Sequence, residues 1–515
     1  MKRPQLISQG SLNRMLQAAK EAWERRDFPQ CFELLERANR LGPANPRVLM
    51  QLGQTYGRRY DYAAAERCFE KAARAEPKKA EILATVGRLF VDFARPQLAE
   101  RFFQQALEQP DAAADTAARL AEFYERLHRT DDAAALVERA LHLDDACPLA
   151  RLTQAKLHRR AGRLAEAEQV LRPILTAADR EFRIRGFYEL GAIYDRQERY
   201  DEAMSAFGEA KALLQPDAPP LLAQLQLIIK YLNEMRDSVS AEMVARWFDS
   251  SRELLQPAQR LALLAGHARS GTTLLEQVLD SHPDIVSAGE TSLFHEDAYM
   301  PLARNLPPEA SMLAGLDTAP VQTLRLARER YFQSMSLWLG HPPGERLLID
   351  KNPSLLALII AFIRIFPEAR LIVALRDPRD VVLSCFMMLH YPLSTASVTF
   401  LDLEGTATIY ARVMGIWQTL KPLVKNPWLE VRYEDMVEDL ESVARQTLDF
   451  LGVPWDARVL GFDEHARQKM VRSPTYAEVA QPVYKRARGR WRHYQKYLEP
   501  HFAILEPFVK AYGYE

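Results

Sequence analysis

The chain has 515 residues, too many for one ordinary domain, with 67 basic and 68 acidic residues and a formal net charge of -1. That balance provides no bulk basic field, which argues against nonspecific nucleic-acid binding but not against a local basic cleft for a small anion. The four cysteines, Cys31, Cys68, Cys147 and Cys385, show no CxxC or metal-ligand spacing, so free thiols, a reducing compartment and no bound metal are expected.

Met1-Lys-Arg-Pro-Gln5 runs into an amphipathic helical pattern without the apolar core of a signal peptide, and no apolar run reaches membrane-spanning length. A cytoplasmic protein with no membrane span is the expectation. Segments starting at Leu12, Pro46, Ala80 and Ala114 then align at a spacing of 34 residues. Ala19, Gly53, Gly87 and Ala121 share a column where two helices must approach closely, and Tyr56, Phe90 and Tyr124 share the next aromatic one. Columns of a second helix follow at Cys31, Ala65, Ala99 and Ala133, at Leu35, Phe69, Phe103 and Val137, and at Ala38, Ala72, Ala106 and Ala140. This is the tetratricopeptide pattern. Weaker units near Pro148 (Ala155, Ala167, Leu171) and Ile184 (Gly191, Tyr194, Phe207) bring the count to six helical hairpins over residues 1-217. Stacked hairpins form a superhelix with a concave face suited to a peptide or protein partner; a spacer or dimerisation arm is an equal alternative.

Leu214 to Pro220 is too proline-rich to continue a helix and marks a boundary, followed by capping or linker helices over 218-256, with apolar helical spacing from Leu221 to Met235. From about Pro257, over 257-515, strand-like runs at Leu261 to Ala265, Ile285 to Ser287, Arg346 to Ile349, Arg370 to Leu375 and Trp428 to Arg432 alternate with helices such as Leu355 to Phe366. That alternation predicts an α/β, P-loop-like domain with a mostly parallel sheet, whose ligands sit at the carboxyl ends of the strands.

Two segments carry the chemistry. Gly266-His-Ala-Arg-Ser-Gly-Thr-Thr273 joins a buried strand to a helix through a glycine-containing turn that aims main-chain N–H groups at an anion. It is close to the phosphate loop of nucleotide triphosphatases, but Thr272 stands where their lysine reaches the outer phosphates, which favours a smaller diphosphate-like group handled without metal. Arg376-Asp-Pro-Arg-Asp-Val-Val-Leu-Ser384 supplies a forked donor and a hydroxyl at a helix start for a second phosphate. A nucleotide bearing phosphate at two places implies group transfer.

At these residues the chain resembles sulfotransferases that use 3'-phosphoadenosine 5'-phosphosulfate (PAPS), nearest in pattern to the tyrosylprotein and bacterial repeat-containing branches. The resemblance covers roughly half the chain and rests on Arg269 to Thr273, His282-Pro283, Gly289-Glu290-Thr291, and Arg376 to Arg379 with Ser384. It implies that Arg269, Ser270, Gly271, Thr272 and Thr273 hold the 5'-phosphosulfate, that Arg376 and Ser384 hold the 3'-phosphate, and that Tyr433 lies near the nucleotide. It also implies Glu290 as general base, Lys351 and Arg269 as stabilisers of developing charge, and adenosine 3',5'-bisphosphate (PAP) as product, without metal. The acceptor is a hydroxyl, with a peptide tyrosine leading and a glycan, lipid or small metabolite as alternatives.

Plainer readings stand beside these: an ion pair of Arg376 with Asp377 or Asp380, a capping or paired Glu290, a rim salt bridge of Lys351 with Asp350, and a core role for Tyr433. The tail through Lys485, Arg486, Arg488 and Arg490 is either an anion-covering loop or a solvated charge run. Met388 and Ala487 replace an arginine and a serine of relatives, leaving donor contacts there open, and His267 is either structural or near substrate. A kinase or a nucleotide-binding scaffold without turnover are the rival classes.

Overall fold

In a computed structural model of the chain, residues 9–25, 27–255, 259–303, 306 and 311–514 are described. The N-terminal stretch Met1 to Gln5 and the expected start of the catalytic half at Pro257 lie outside the described residues. Packing divides the chain into two compact units, Met1–Leu157 and His158–Glu515. Helix Pro148–Arg160 carries the break, so the second unit contains the end of the repeats as well as the sheet.

Six helical hairpins precede the sheet among the described residues, from Gln9–Glu24 with Phe28–Leu41 to Arg180–Arg196 with Tyr200–Leu214. Their pairing follows side-chain volume. A Cβ on Gly53 would stand 2.5 Å from the Phe69 ring, on Gly87 2.8 Å from Phe103, and on Gly191 2.7 Å from Phe207. Where the same column holds alanine, the partner sixteen residues on is the smaller Leu35, Val137 or Leu171, opposite Ala19, Ala121 and Ala155. All of these are buried, so glycine appears wherever the facing knob is a phenylalanine.

The proline-rich boundary is shorter than its composition suggests. Tyr200–Leu214 ends in one 3-10 turn, Gln215–Asp217, and helix Ala218–Ser238 then takes Pro219 and Pro220 into its first turn, where a missing N–H has no acceptor to lose. A second helix, Ala241–Leu254, leads to the sheet.

Five strands, β1 Leu261–Gly266, β2 Ile285–Ser287, β3 Leu347–Lys351, β4 Arg370–Leu375 and β5 Trp428–Arg432, form one sheet in the order β2-β3-β1-β4-β5. All four pairings are parallel. The expected end of β3 at Ile349 moves to Lys351, because the charges that seemed to close the strand find partners inside the protein. Likewise the helix expected from Leu355 opens as a 3-10 turn, Pro353–Leu358, before Ile359–Ile365. Helices Thr272–Asp280, Tyr433–Glu438 and Leu440–Leu451 pack on one face of the sheet through Leu275, Val278, Met436 and Leu448. Gly266, Lys351, Arg376 and Tyr433 fall at the carboxyl ends of four neighbouring strands, and Glu290 lies just beyond the fifth.

Candidate active site

The turn after β1 is shaped by three residues at positive φ: Gly266 at 150°, Arg269 at 73° and Gly271 at 92°. A side chain at Gly266 would strike Ala374 O at 2.6 Å, and one at Gly271 would strike Tyr433 Cδ2 at 2.7 Å. Glycine is therefore required by contact as well as by torsion. Helix Thr272–Asp280 follows immediately, and the first-turn amides of a helix have no intrahelical acceptor. The Ser270 N–H differs, since it donates to His267 O at 3.2 Å.

Arg269, Gly271, Thr272, Thr273, Glu290, Arg376, Ser384 and Tyr433 all line one cavity of about 850 Å³. Ser270 and Lys351 lie behind its wall, at 2% and 1% exposure. Arg269 Nε donates to Ser384 Oγ at 3.0 Å, joining residues 115 apart in sequence. Burial depresses the pKa of the Arg269 guanidinium, partly offset by Glu478.

Arg376 is buried rather than placed on the surface, and of its two expected ion-pair partners it keeps only a loose pairing with Asp380. Asp377 is engaged by Arg379 at 2.7 Å, and Asp380 is 3.8 Å from Arg376 while accepting the main-chain N–H groups of Gly489 and Trp491 at 2.7 and 2.8 Å. Arg376 instead donates from Nη1 to Arg269 O at 3.2 Å and from Nη2 to Ala487 O, and stands 4.7 Å from the centroid of the Tyr433 ring. Its Nε is buried without a partner, a free donor beside the cavity. Tyr433 is both core and site: it packs beneath the sheet, lines the cavity, and has its pKa pushed up to about 12 by burial.

Lys351 is not on a rim and does not pair with Asp350. Its Nζ lies 2.7 Å from Glu290 Oε1, 3.1 Å from Glu276 Oε2 and 3.4 Å from Thr273 Oγ1. Burial opposes its charge, but the two carboxylates outweigh that and hold its pKa above the ordinary lysine value. Asp350 points the other way, accepting from Tyr331 OH at 2.8 Å, and burial lifts its pKa to about 7. β2 stops at Ser287, so Glu290 lies on the following loop rather than at the strand's end, with its side chain 38% exposed. His267 is structural in its contacts: it is buried against Tyr410 at 5.0 Å, bonded to Ala268 O, and lowered by burial to about pKa 4.

Sequence reasoning missed Glu276 altogether and, for Ser473, the contact with Thr273. Glu276 is buried at 3% on Thr272–Asp280, also accepts from Ser287 Oγ at 2.7 Å, and interrupts an apolar run, Leu274-Leu275 to Val278-Leu279, a signal readable in the sequence. Ser473 accepts from Thr273 Oγ1 at 3.0 Å across 200 residues; its sequence signal is the Ser473-Pro-Thr-Tyr476 stretch, which opens the tail that resembles a segment closing over the cofactor. The tail's charges are largely engaged: Lys485 and Arg488 with Glu438 at 2.9 and 3.1 Å, and Arg490 with Asp195 at 2.7 Å. Among the described residues no cluster of three or more His, Cys, Asp or Glu side chains is arranged for a metal, and no helix is long and apolar enough to cross a membrane.

Fold and site together define a helical-repeat protein with a P-loop-like α/β unit whose charged side chains converge at one sheet edge. Residues 262–457 match the family described as "Sulfotransferase family", and residues 46–79 and 184–213 match "Tetratricopeptide repeat". The chain thus carries a sulfotransferase-family segment together with tetratricopeptide repeats. An uncharacterized protein of Aquifex aeolicus is 25% identical over 67% of this chain, and the match spans 44% of that protein, less than half its length. Protein-tyrosine sulfotransferase 1 of Danio rerio is 27% identical over 50% of this chain and 72% of its own. Among solved structures, the sulfotransferase domain of the Synechococcus PCC 7002 olefin synthase aligns with 49% of this chain and 95% of its own at 20% identity and a TM-score of 0.35.

Proposed function

We propose that this protein transfers a sulfuryl group from PAPS to a hydroxyl acceptor, with a peptide tyrosine as the leading acceptor. The observation that carries the reading is the convergence on one cavity of a phosphate-type turn lacking its lysine, the Arg376 and Ser384 pair, and the Lys351–Glu290 contact at 2.7 Å. The donor supplies the sulfuryl group and departs as adenosine 3',5'-bisphosphate. Arg269 and the amides of the Thr272–Asp280 helix start hold the phosphosulfate, while Arg376, through its free Nε, and Ser384 hold the 3'-phosphate.

Glu290 takes the acceptor proton as the acceptor oxygen bonds to sulfur and the bond from sulfur to the phosphate oxygen breaks. Lys351 reaches both Glu290 and Thr273 and so stands between the base and the end of the donor that gains charge. Glu276 supplies the counter-charge to Lys351, which leaves the second oxygen of Glu290 open to the proton. Tetratricopeptide repeats of this kind suit a protein partner or a polypeptide acceptor. The similarity to protein-tyrosine sulfotransferases supports tyrosine over glycan, lipid and small-metabolite acceptors.

Calorimetric titration of the full chain with adenosine 3',5'-bisphosphate and with AMP tests the donor. A preference of at least about 100-fold for the bisphosphate, lost in Arg376→Ala, is expected from charge-assisted contacts to one more phosphate. Equal binding of the two nucleotides, or ATP turnover that requires magnesium, would overturn the reading. Labelled sulfate transfer across tyrosine peptides and glycans then separates acceptors, and tight bisphosphate binding with no transfer to any acceptor would leave a scaffold.

A further inference from the structure

The 3'-phosphate site is short of donors if Arg376 and Ser384 stand alone. One N–H of each terminal nitrogen of Arg376 is spent on the carbonyls of Arg269 and Ala487, and Ser384 Oγ accepts from Arg269, so these two side chains bring few donors beyond the Arg376 Nε and the Ser384 hydroxyl proton. Met387, Met388 and Ala487, which line the same cavity, offer no polar side-chain donor. A phosphate monoester near neutral pH carries close to two charges and three acceptor oxygens.

Helix Arg180–Arg196 of the last repeat lies against the tail that covers this region. Asp195 Oδ1 accepts from Arg490 Nε at 3.0 Å and from Tyr494 OH at 2.7 Å, Asp201 accepts from Tyr497 OH at 2.9 Å, and His493 stacks on Tyr200 at 4.6 Å. The same tail is fixed to the sheet edge at Ala487 by Arg376 and at Gly489 and Trp491 by Asp380. Arg196, the residue after Asp195, is thereby carried to the cavity wall, where Arg486 and Arg159 also stand. Among the described residues Arg196 makes no ion pair, whereas Arg159 is held by Glu189 at 2.5 Å. Seven arginines and four carboxylates line the cavity. Partial desolvation at the cavity wall, then repulsion from Arg486 and Arg159, lower the Arg196 pKa, although the side chain stays exposed and Glu478 pulls the other way.

We infer that the last tetratricopeptide hairpin is part of the nucleotide site, with Arg196, beside Arg486 on the tail, completing the cradle for the donor's 3'-phosphate. This rests on the PAPS reading above and gives the repeats a role in the chemistry itself, besides any capture of a partner. It also accounts for the packing of the hairpin with the sheet in one compact unit.

The test is calorimetry of adenosine 3',5'-bisphosphate and AMP on the full-length wild type, Arg196→Gln, Arg196→Lys and Arg486→Gln. Arg199→Gln serves as control, because Arg199, in the same hairpin as Arg196, is tied to Glu202 and to Glu168 of the preceding hairpin and does not line the cavity. The bisphosphate should bind Arg196→Gln and Arg486→Gln roughly tenfold or more weakly, with AMP within about twofold, Arg196→Lys intermediate and Arg199→Gln unchanged. The ligand-free melting temperature of Arg196→Gln should match wild type, since Arg196 is exposed and makes no ion pair among the described residues. Unchanged bisphosphate affinity in Arg196→Gln and Arg486→Gln, equal loss for both nucleotides, or a rise only in the acceptor's KM would overturn the inference while leaving the donor reading intact. A wild type with no preference for the bisphosphate would overturn both.

Discussion

Charge is handled in opposite ways by the repeats and by the sheet-bearing site. In the fourth hairpin Arg129 lies 3.8 Å from the centroid of the Tyr124 ring, and Glu100 accepts from Tyr124 OH at 2.9 Å and from Arg129 at 2.6 Å. The sixth hairpin repeats the arrangement with Arg199 at 4.0 Å from Tyr194 and 2.9 Å from Glu168. These groups are partly solvated, each cation has an anion, and such pairs contribute only about 0–1 kcal/mol. The repeats are held instead by matched volumes. At the sheet edge the charges are buried and their partners are few: Lys351 has two carboxylates, Arg376 has carbonyls, and Asp350 has a phenol. A region built from volumes tolerates the loss of a charge, whereas one built around buried charges does not.

The largest expected break follows from that contrast. Lys351→Met leaves Glu276 and Glu290 facing each other without a cation. Sulfate transfer at saturating donor should fall by about 10³-fold. Stability should fall by roughly 3 kcal/mol, because a buried carboxylate has lost its partner. The double variant Lys351→Met/Glu276→Leu separates the two effects, with the urea midpoint recovering and transfer staying low. Turnover of the single variant within about tenfold of wild type would remove Lys351 from the mechanism.

In the repeats the corresponding break is steric. Gly53→Ala places a Cβ 2.5 Å from the Phe69 ring and should cost about 1–3 kcal/mol, even though alanine is the better helix former. Phe69→Leu alone leaves a cavity. Combining them recreates the Ala19 and Leu35 pair of the first hairpin, and the double variant should be more stable than the sum of the two single losses predicts. Additive losses in urea melts would show that the glycine column answers to something other than the facing ring.

How far the sequence could be read follows from the same contrast. Volume matching and strand patterning are local or periodic, so the 34-residue columns, the five strand positions and the turn at Gly266 to Thr273 were legible. Arg376 and Ser384 were legible too, because a helix start ties them together within nine residues. What escaped were partners chosen by the fold across long separations: Glu276 for Lys351, Ser473 for Thr273, and Asp195 for Arg490, 295 residues apart. The end of β3 was misplaced for a related reason. Asp350 and Lys351 look like surface residues to any pattern rule, and only their tertiary partners keep them in the strand.

Asp350 gives the finest test, a change in slope rather than in height. Burial, with Glu276 nearby, lifts its pKa from 3.8 to about 7 against the pull of the Tyr331 hydrogen bond. Between about pH 4 and pH 7 the folded chain therefore keeps a proton that the unfolded chain has released, so this group's contribution to stability declines as pH rises through that window. Asp350→Asn cannot titrate and still offers Tyr331 an acceptor oxygen. Urea midpoints measured from about pH 4.5 to pH 7.5 should fall less steeply with pH in the variant than in wild type, and the two curves should draw together or cross toward neutrality. Parallel curves would mean that Asp350 is ionised throughout. The buried edge of β3 would then carry three carboxylates around Lys351 and Tyr331, as heavily charged as the repeats but without their water.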